Sequence, residues 1–365
     1  MRRVRTPPII FLVPKSSLRR PADRAASARA RAWERLDDEQ LLSLRFCDLG
    51  LSITGTVLEE AIERLYAELA RRHIRFRPHC WLAEEWFSPD GVPGIAIPFY
   101  LAHPRLARLE RRFTGEVEGG NRQFLMRILR HETGHAIDSA YRLRRRRRWR
   151  EVFGPASLPY PHSYRPRPGS RRYVQHLGDW YAQAHPTEDF AETFAVWLQP
   201  RSGWRVDYAD WPALRKLEFI DGLIAEIGAT APPVVDRRHV EDLAENPRTL
   251  RAHYAYKRAS LKAPRRLAAD DLLLKIFTAT PARRTAPNAA HAIRDLANPL
   301  RRQLVRSGAF GDYLVRQVLR LVIARCETLD LRVHGPRREL RTQLAWLIAR
   351  LAESYEERQL PRVAL

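Results

Sequence analysis

His131 and His135 stand four residues apart in RILRHETGHAIDSAY, and Glu132 follows the first histidine directly. On a helix that spacing is about one turn, so the two imidazoles share a face and their ring nitrogens can reach a single ion. Glu132, about 100° further round, would lie beside the ion, where a carboxylate can hold a bound water. Two imidazoles and a carboxylate suit a metal such as zinc, and the chemistry they point to is metal-assisted hydrolysis. Such a site needs a third protein ligand and a fourth position left open.

A metzincin would carry glycine and then histidine three and six residues after His135. Asp138 and Tyr141 stand there instead, which excludes that arrangement. The other source is a carboxylate from a later helix. HPTEDFAETFAVWL, residues 185–198, places Glu188 and Glu192 on one face, opposite Phe190 and Phe194. One of the two can bind the ion while the other accepts a hydrogen bond from a ligand histidine and fixes its tautomer. His185 is a further candidate ligand. Tyr181, seven residues before Glu188, either offers its hydroxyl to a developing oxyanion or packs with Trp180. Asp138, two turns beyond His131 on the same face, either buttresses a ligand or forms a salt bridge.

At these residues the chain resembles the gluzincin metallopeptidases. More narrowly, HETGHAID with YAQAHPTEDFAETFA is similar to a bacterial family of zinc-binding metallopeptidases, and its Tyr, Glu and Glu pattern is similar to that of the lethal-factor catalytic domain. The resemblance covers roughly residues 40–230. It implies His131, His135 and Glu188 as ligands of one zinc ion and Glu132 as general base. It also implies Tyr181 as stabiliser of the transition state and Glu192 as a residue that orients a ligand.

The elements that must position these groups follow from patterning. Thr56–Arg72 reads as a helix with Thr56 and Glu59 as a capping box and an apolar stripe Leu58, Ile62, Leu65, Leu69. Residues 74–87 and 94–101 read as extended, separated by the turn Ser88-Pro89-Asp90-Gly91. Pro98 lacks a ladder donor, so GIAIPFYL is expected at a sheet edge, with Ile95, Ile97 and Phe99 aligning a peptide substrate as an added strand. The HETGH helix begins near Asn121, and further helices are expected over 187–198, 212–227 and 336–355. The expected architecture is α+β. A basic arm (1–37) precedes a zincin-like domain with a small mixed sheet and the HExxH helix (38–230). A linker (231–240, around Ala231-Pro232-Pro233) then leads to an all-helical C-terminal domain (241–365).

The chain has 365 residues, and its hydrophobic content of 45% is that of a globular protein. No apolar run approaches the roughly 20 residues of a membrane helix. The apolar stretch at 9–13 is too short, and too closely bounded by prolines, for a signal peptide, so a cytoplasmic location is expected. Three scattered cysteines argue against a disulfide framework or a thiolate metal cage. The net charge is +22, and of the 64 basic residues only five are lysine. Arg142, Arg144–Arg148, Arg150, Arg165, Arg167, Arg171 and Arg172 cluster after the metal helix. They form a solvated face, a rim selecting acidic polypeptides, or a nucleic-acid surface with Trp149 and Tyr173 for stacking. No helix-turn-helix, zinc-finger or RNA-recognition signature supports the last. The preferred reading is a zinc peptidase. Its alternatives are a nonenzymatic basic binding protein with a vestigial metal site and a zinc amidase acting on a small molecule or modified peptide.

Overall fold

Thr56 ends the preceding turn and caps α1 (Val57–Arg71), its hydroxyl oxygen accepting from the Leu58 N–H. The expected capping box is shifted by one residue, because Glu59 reaches back to the Gly55 N–H at 2.7 Å rather than to Thr56. The stripe Leu58, Ile62, Leu65 and Leu69 is buried. The computed structural model describes residues 32–114, 117–161, 163–164, 167, 170–178, 180–260, 270–279, 286–307, 310–333, 337–357 and 363–364. Most of the basic arm, and Arg165, lie outside the described residues.

Strands β1 (His79–Ala83) and β2 (Gly94–Pro98) pair in parallel, His79 opposite Gly94 and Ala83 opposite Pro98. On the other side of β2, the Ala96 N–H donates to the Phe87 carbonyl at 2.8 Å in an antiparallel bridge. The strand is therefore flanked on both sides at its centre, and the expected free edge is not there. Ile95, Ile97 and Phe99 are fully buried in the core. The physical reason is in GIAIPFYL itself: a run apolar at every position belongs to a strand covered on both faces.

The chain continues through α2 (Pro104–Thr114), α3 (Arg122–Tyr141), α4 (Arg147–Phe153), α5 (Pro186–Leu198), α6 (Leu214–Ile227) and α7 (Leu250–Ser260). Helix α3 lies at the centre, packed against α5 on one side and α1 on another. A buried ion pair fixes the α1 contact: Arg130 Nε and Nη2 donate to the two oxygens of Glu68 at 2.7 and 2.9 Å. One hydrophobic core runs from Trp33 to Tyr254 and includes Leu250 and Tyr254 of α7. Backbone bonds from Phe46 N to Arg248 O and from Leu250 N to Leu44 O hold α7 to it. A second core gathers Ile293, Val315, Val322, Leu344 and Ile348 from α8 (Ala289–Arg306), α9 (Asp312–Thr328) and α10 (Arg337–Glu357). The α10 stripe Leu340, Leu344, Leu347 and Leu351 is buried, as its spacing predicts. Helices thus dominate the described residues, with small sheets beside them, and none of the helices is long and apolar enough to cross a membrane.

Candidate metal centre

Asn121 caps α3, accepting from the Phe124 N–H at 2.9 Å, and the helix ends at Arg142 in the left-handed region (φ 52°). His185 caps α5: its Nδ1 accepts from the Thr187 N–H, and Pro186 supplies the fixed φ of the first turn. The two helices meet where Gly134 faces Ala191. A Cβ on Gly134 would fall 2.7 Å from the Ala191 Cα, closer than real side chains come. This close approach brings the polar faces of the two motifs together in a buried setting.

Three donor atoms converge there. Glu188 Oε2 lies 3.1 Å from His131 Nε2 and 3.2 Å from His135 Nε2, and the two Nε2 atoms are 3.2 Å apart. Tetrahedral ligands about 2.0–2.1 Å from zinc lie about 3.3 Å from one another, so the triangle has the size of one face of such a site. His131, His135 and Glu188 could therefore hold a metal ion. Glu192 is excluded from that triangle by its bonds: Oε1 pairs with His131 Nδ1 at 2.8 Å and Oε2 accepts from the Leu177 N–H at 2.8 Å. It thereby leaves His131 Nε2 facing the other two donor atoms. His185 is also excluded, since Nδ1 caps α5 and Nε2 donates to the Leu158 carbonyl at 3.0 Å.

The electrostatics favour a cation at this point. Burial opposes charge on His131 and His135, yet Glu188, joined by Glu192 at His131, outweighs it and raises both pKa values. Burial likewise opposes ionisation of Glu188, and the two histidines overcome it and hold its carboxyl well below the usual range. Glu132 is buried beside them, and burial raises its proton affinity against the pull of His131 and His135. The donors open onto a cavity of about 390 Å³ whose wall includes Trp86, Phe87, Leu158, Tyr160 and Tyr181. A larger cavity of about 900 Å³, between the 49–58 segment and α2, has no such cluster among the described residues.

Tyr181 lies with its ring 5.5 Å from that of His131 and lines the cavity; burial, then Glu188, raises its pKa. Asp138 does not touch a ligand histidine. Its oxygens accept from Arg144, from the backbone N–H at 2.8 Å and from Nε at 2.5 Å, which folds the chain back beneath the end of α3. Ile95, Ile97 and Phe99 do not reach the cavity, and the segment bearing Trp86, Phe87 and Ser88 stands there in their place. Trp149 is fully buried against Phe153 and Phe190, so it offers no stacking surface. Tyr173 faces Lys216, whose Nζ is 4.2 Å from its ring centre. Arg144, the arginine of the cavity wall, is paired with Asp138 and Asp90.

Sequence reasoning missed Tyr160, whose hydroxyl donates to Glu188 Oε1 at 2.5 Å. It lies in the irregular stretch after α4, where no periodicity marks a residue's direction. The signal that could have singled it out is a tyrosine in a Leu-Pro-Tyr-Pro run, where flanking prolines restrict the backbone.

Comparison with the curated proteins and with the solved structures gives no match. Residues 112–207, which carry both motif helices and every donor described above, match the model of a family described as "putative zinc-binding metallo-peptidase".

Proposed function

We propose that the protein is a zinc-dependent peptidase of the gluzincin type. Its zincin-like catalytic domain would begin near residue 38 and, since α7 packs on the first core, extend past residue 230. The observation that carries the reading is the convergence of His131 Nε2, His135 Nε2 and Glu188 Oε2, with Glu132 buried at the same cavity. When bound, zinc supplies a Lewis acid that polarises the scissile carbonyl and acidifies the attacking water.

The chain's own residues do the rest. Glu192 accepts the Nδ1 proton of His131 and keeps that imidazole in the ligand tautomer. Glu132 takes a proton from the attacking water and returns it to the leaving amine, and burial strengthens it as a base for that exchange. Tyr181, kept protonated by its surroundings, donates to the oxyanion that forms on the carbonyl. The substrate is a polypeptide, in keeping with the matched family. Among the described residues the cavity wall gives no support to an arginine rim selecting acidic chains, since its Arg144 is already engaged by Asp138 and Asp90.

The test is zinc content after dialysis, followed by peptide cleavage. About one zinc per chain in the wild type, with much weaker retention in Glu188→Ala, is expected. Glu132→Gln should keep the metal and lose cleavage by about 10²–10⁴-fold. A wild type that retains no zinc when it is supplied would refute the reading.

A further inference from the structure

A carboxylate can bind a metal through one oxygen or both, and the choice sets how many positions remain for water and substrate. At Glu188 the two oxygens have different surroundings. Oε2 faces the imidazole pair at 3.1 and 3.2 Å, whereas Oε1 accepts the Tyr160 hydroxyl at 2.5 Å. An O–H···O⁻ bond of that length belongs to the strong, charge-assisted class. We propose that Tyr160 is a positioning residue that holds Glu188 to one-oxygen contact with the metal and so keeps a coordination position open. The proposal rests on the zinc reading above.

Two further observations support it. Part of Tyr160 stays exposed, yet its hydroxyl turns inward, into the cavity wall and onto the buried Glu188 carboxylate. Its segment is also clipped to the helix that carries Glu188. His185, the α5 cap, donates from Nε2 to the Leu158 carbonyl at 3.0 Å, and its ring lies 4.8 Å from that of Tyr160. Because Nδ1 of the same ring receives the Thr187 N–H, one imidazole fixes the start of α5 and the tyrosine in a common frame. Glu188 sits in the first turn of that helix. The cap, the clip and the carboxylate thus form one unit, and loss of the hydroxyl frees Oε1 to turn toward the metal.

The experiment uses cobalt(II) as the probe, since a His, His, Glu site accepts it in place of zinc. Four-coordinate cobalt lacks an inversion centre and absorbs strongly in the visible, and the absorption falls as coordination number rises. The wild type should show the intense band, and Tyr160→Phe a several-fold loss of it. The metal-free variant should still unfold cooperatively, its midpoint lowered only by the loss of one hydrogen bond to a buried carboxylate. An identical cobalt spectrum in Tyr160→Phe overturns the proposal while leaving the metal site intact. A wild type that takes up neither cobalt nor zinc overturns the zinc reading, and this proposal with it.

Discussion

Replacing Gly134 with alanine sets two opposed effects against each other. In an unconstrained helix interior the change is favourable by about 1 kcal/mol, because alanine loses less backbone freedom on folding. At this position the new Cβ would lie 2.7 Å from the Ala191 Cα and 3.2 Å from the Ala191 carbonyl oxygen. Ordinary contact begins at 3.4 Å, so α3 and α5 must separate by several tenths of an ångström. The obstacle is backbone, which cannot swing aside as a side-chain tip can. Overpacking of this kind costs about 1–3 kcal/mol, and the upper part of that range applies where backbone must move. The net expectation is destabilisation of about 1–2 kcal/mol, with the sign set by the clash. The same separation lengthens the His131–Glu192 contact from 2.8 Å and opens the donor triangle. Zinc affinity should fall by about 10-fold or more, the usual effect of disturbing the groups that orient metal ligands. Urea unfolding of the metal-free protein measures the first effect, and competition with a chromophoric chelator the second. A Gly134→Ala protein stabilised by about 1 kcal/mol, with unchanged zinc affinity, would refute the claim that this glycine sets the helix spacing.

Glu192→Ala removes the partner of His131 Nδ1 and of the Leu177 N–H, and zinc affinity should weaken by about 10–100-fold in chelator competition. Unchanged affinity would mean that the carboxylate does not orient the ligand. His176 is buried, donates to the Arg127 carbonyl at 2.9 Å, and has its pKa lowered to about 4, mainly by burial; Glu192 and the bond to the Arg127 carbonyl oppose the shift, while the charges of Arg127 and His131 add to it. Between pH 6.5 and 4 the unfolded chain binds the extra proton, so this group's contribution is fully present above pH 6.5 and is lost as pH falls, by about 3 kcal/mol in all. The difference in unfolding free energy between wild type and His176→Gln should therefore vary with pH in that window, and a flat difference would count against a buried neutral imidazole. Arg130→Met leaves the buried Glu68 with only the longer Arg64 contact at 3.4 Å and should cost about 3–5 kcal/mol, while Glu68→Leu combined with it restores most of the loss. If the single variant proves no less stable than the double one, the pair is not what holds α1 to α3.

The sequence reveals the centre best where spacing is local. His131 and His135, or Glu188 and Glu192, share a face because they lie one turn apart on a helix whose start is marked by Asn121 or His185. Which of the two glutamates faces both imidazoles depends on the rotation of α5 against α3, two helices that approach closely at Gly134 and Ala191. Nothing in the spacing of either motif encodes that rotation, so spacing alone leaves Glu188 and Glu192 equivalent. Tyr160 illegibly joins the site for a related reason: 28 residues of chain, much of it irregular, separate it from Glu188. The placement of Ile95, Ile97 and Phe99 beside the substrate failed on a readable feature. Proline at position 98 argues for an edge, but the unbroken apolar run argues more strongly for burial, and burial won.

The ion pair between Arg130 and Glu68 also bears on how the chain can be divided. Every donor of the candidate metal site lies within residues 112–207, yet Glu68 does not, and neither do Leu217, Ile220 and Ile224 of α6 in the same core. A fragment cut to those limits would carry the candidate ligands together with a guanidinium stripped of its partner and a bare apolar flank. It would aggregate or stay unfolded before any metal could bind. For anyone expressing or transplanting this centre, the smallest useful piece is set by what supports α3 from outside, not by where the ligands begin and end.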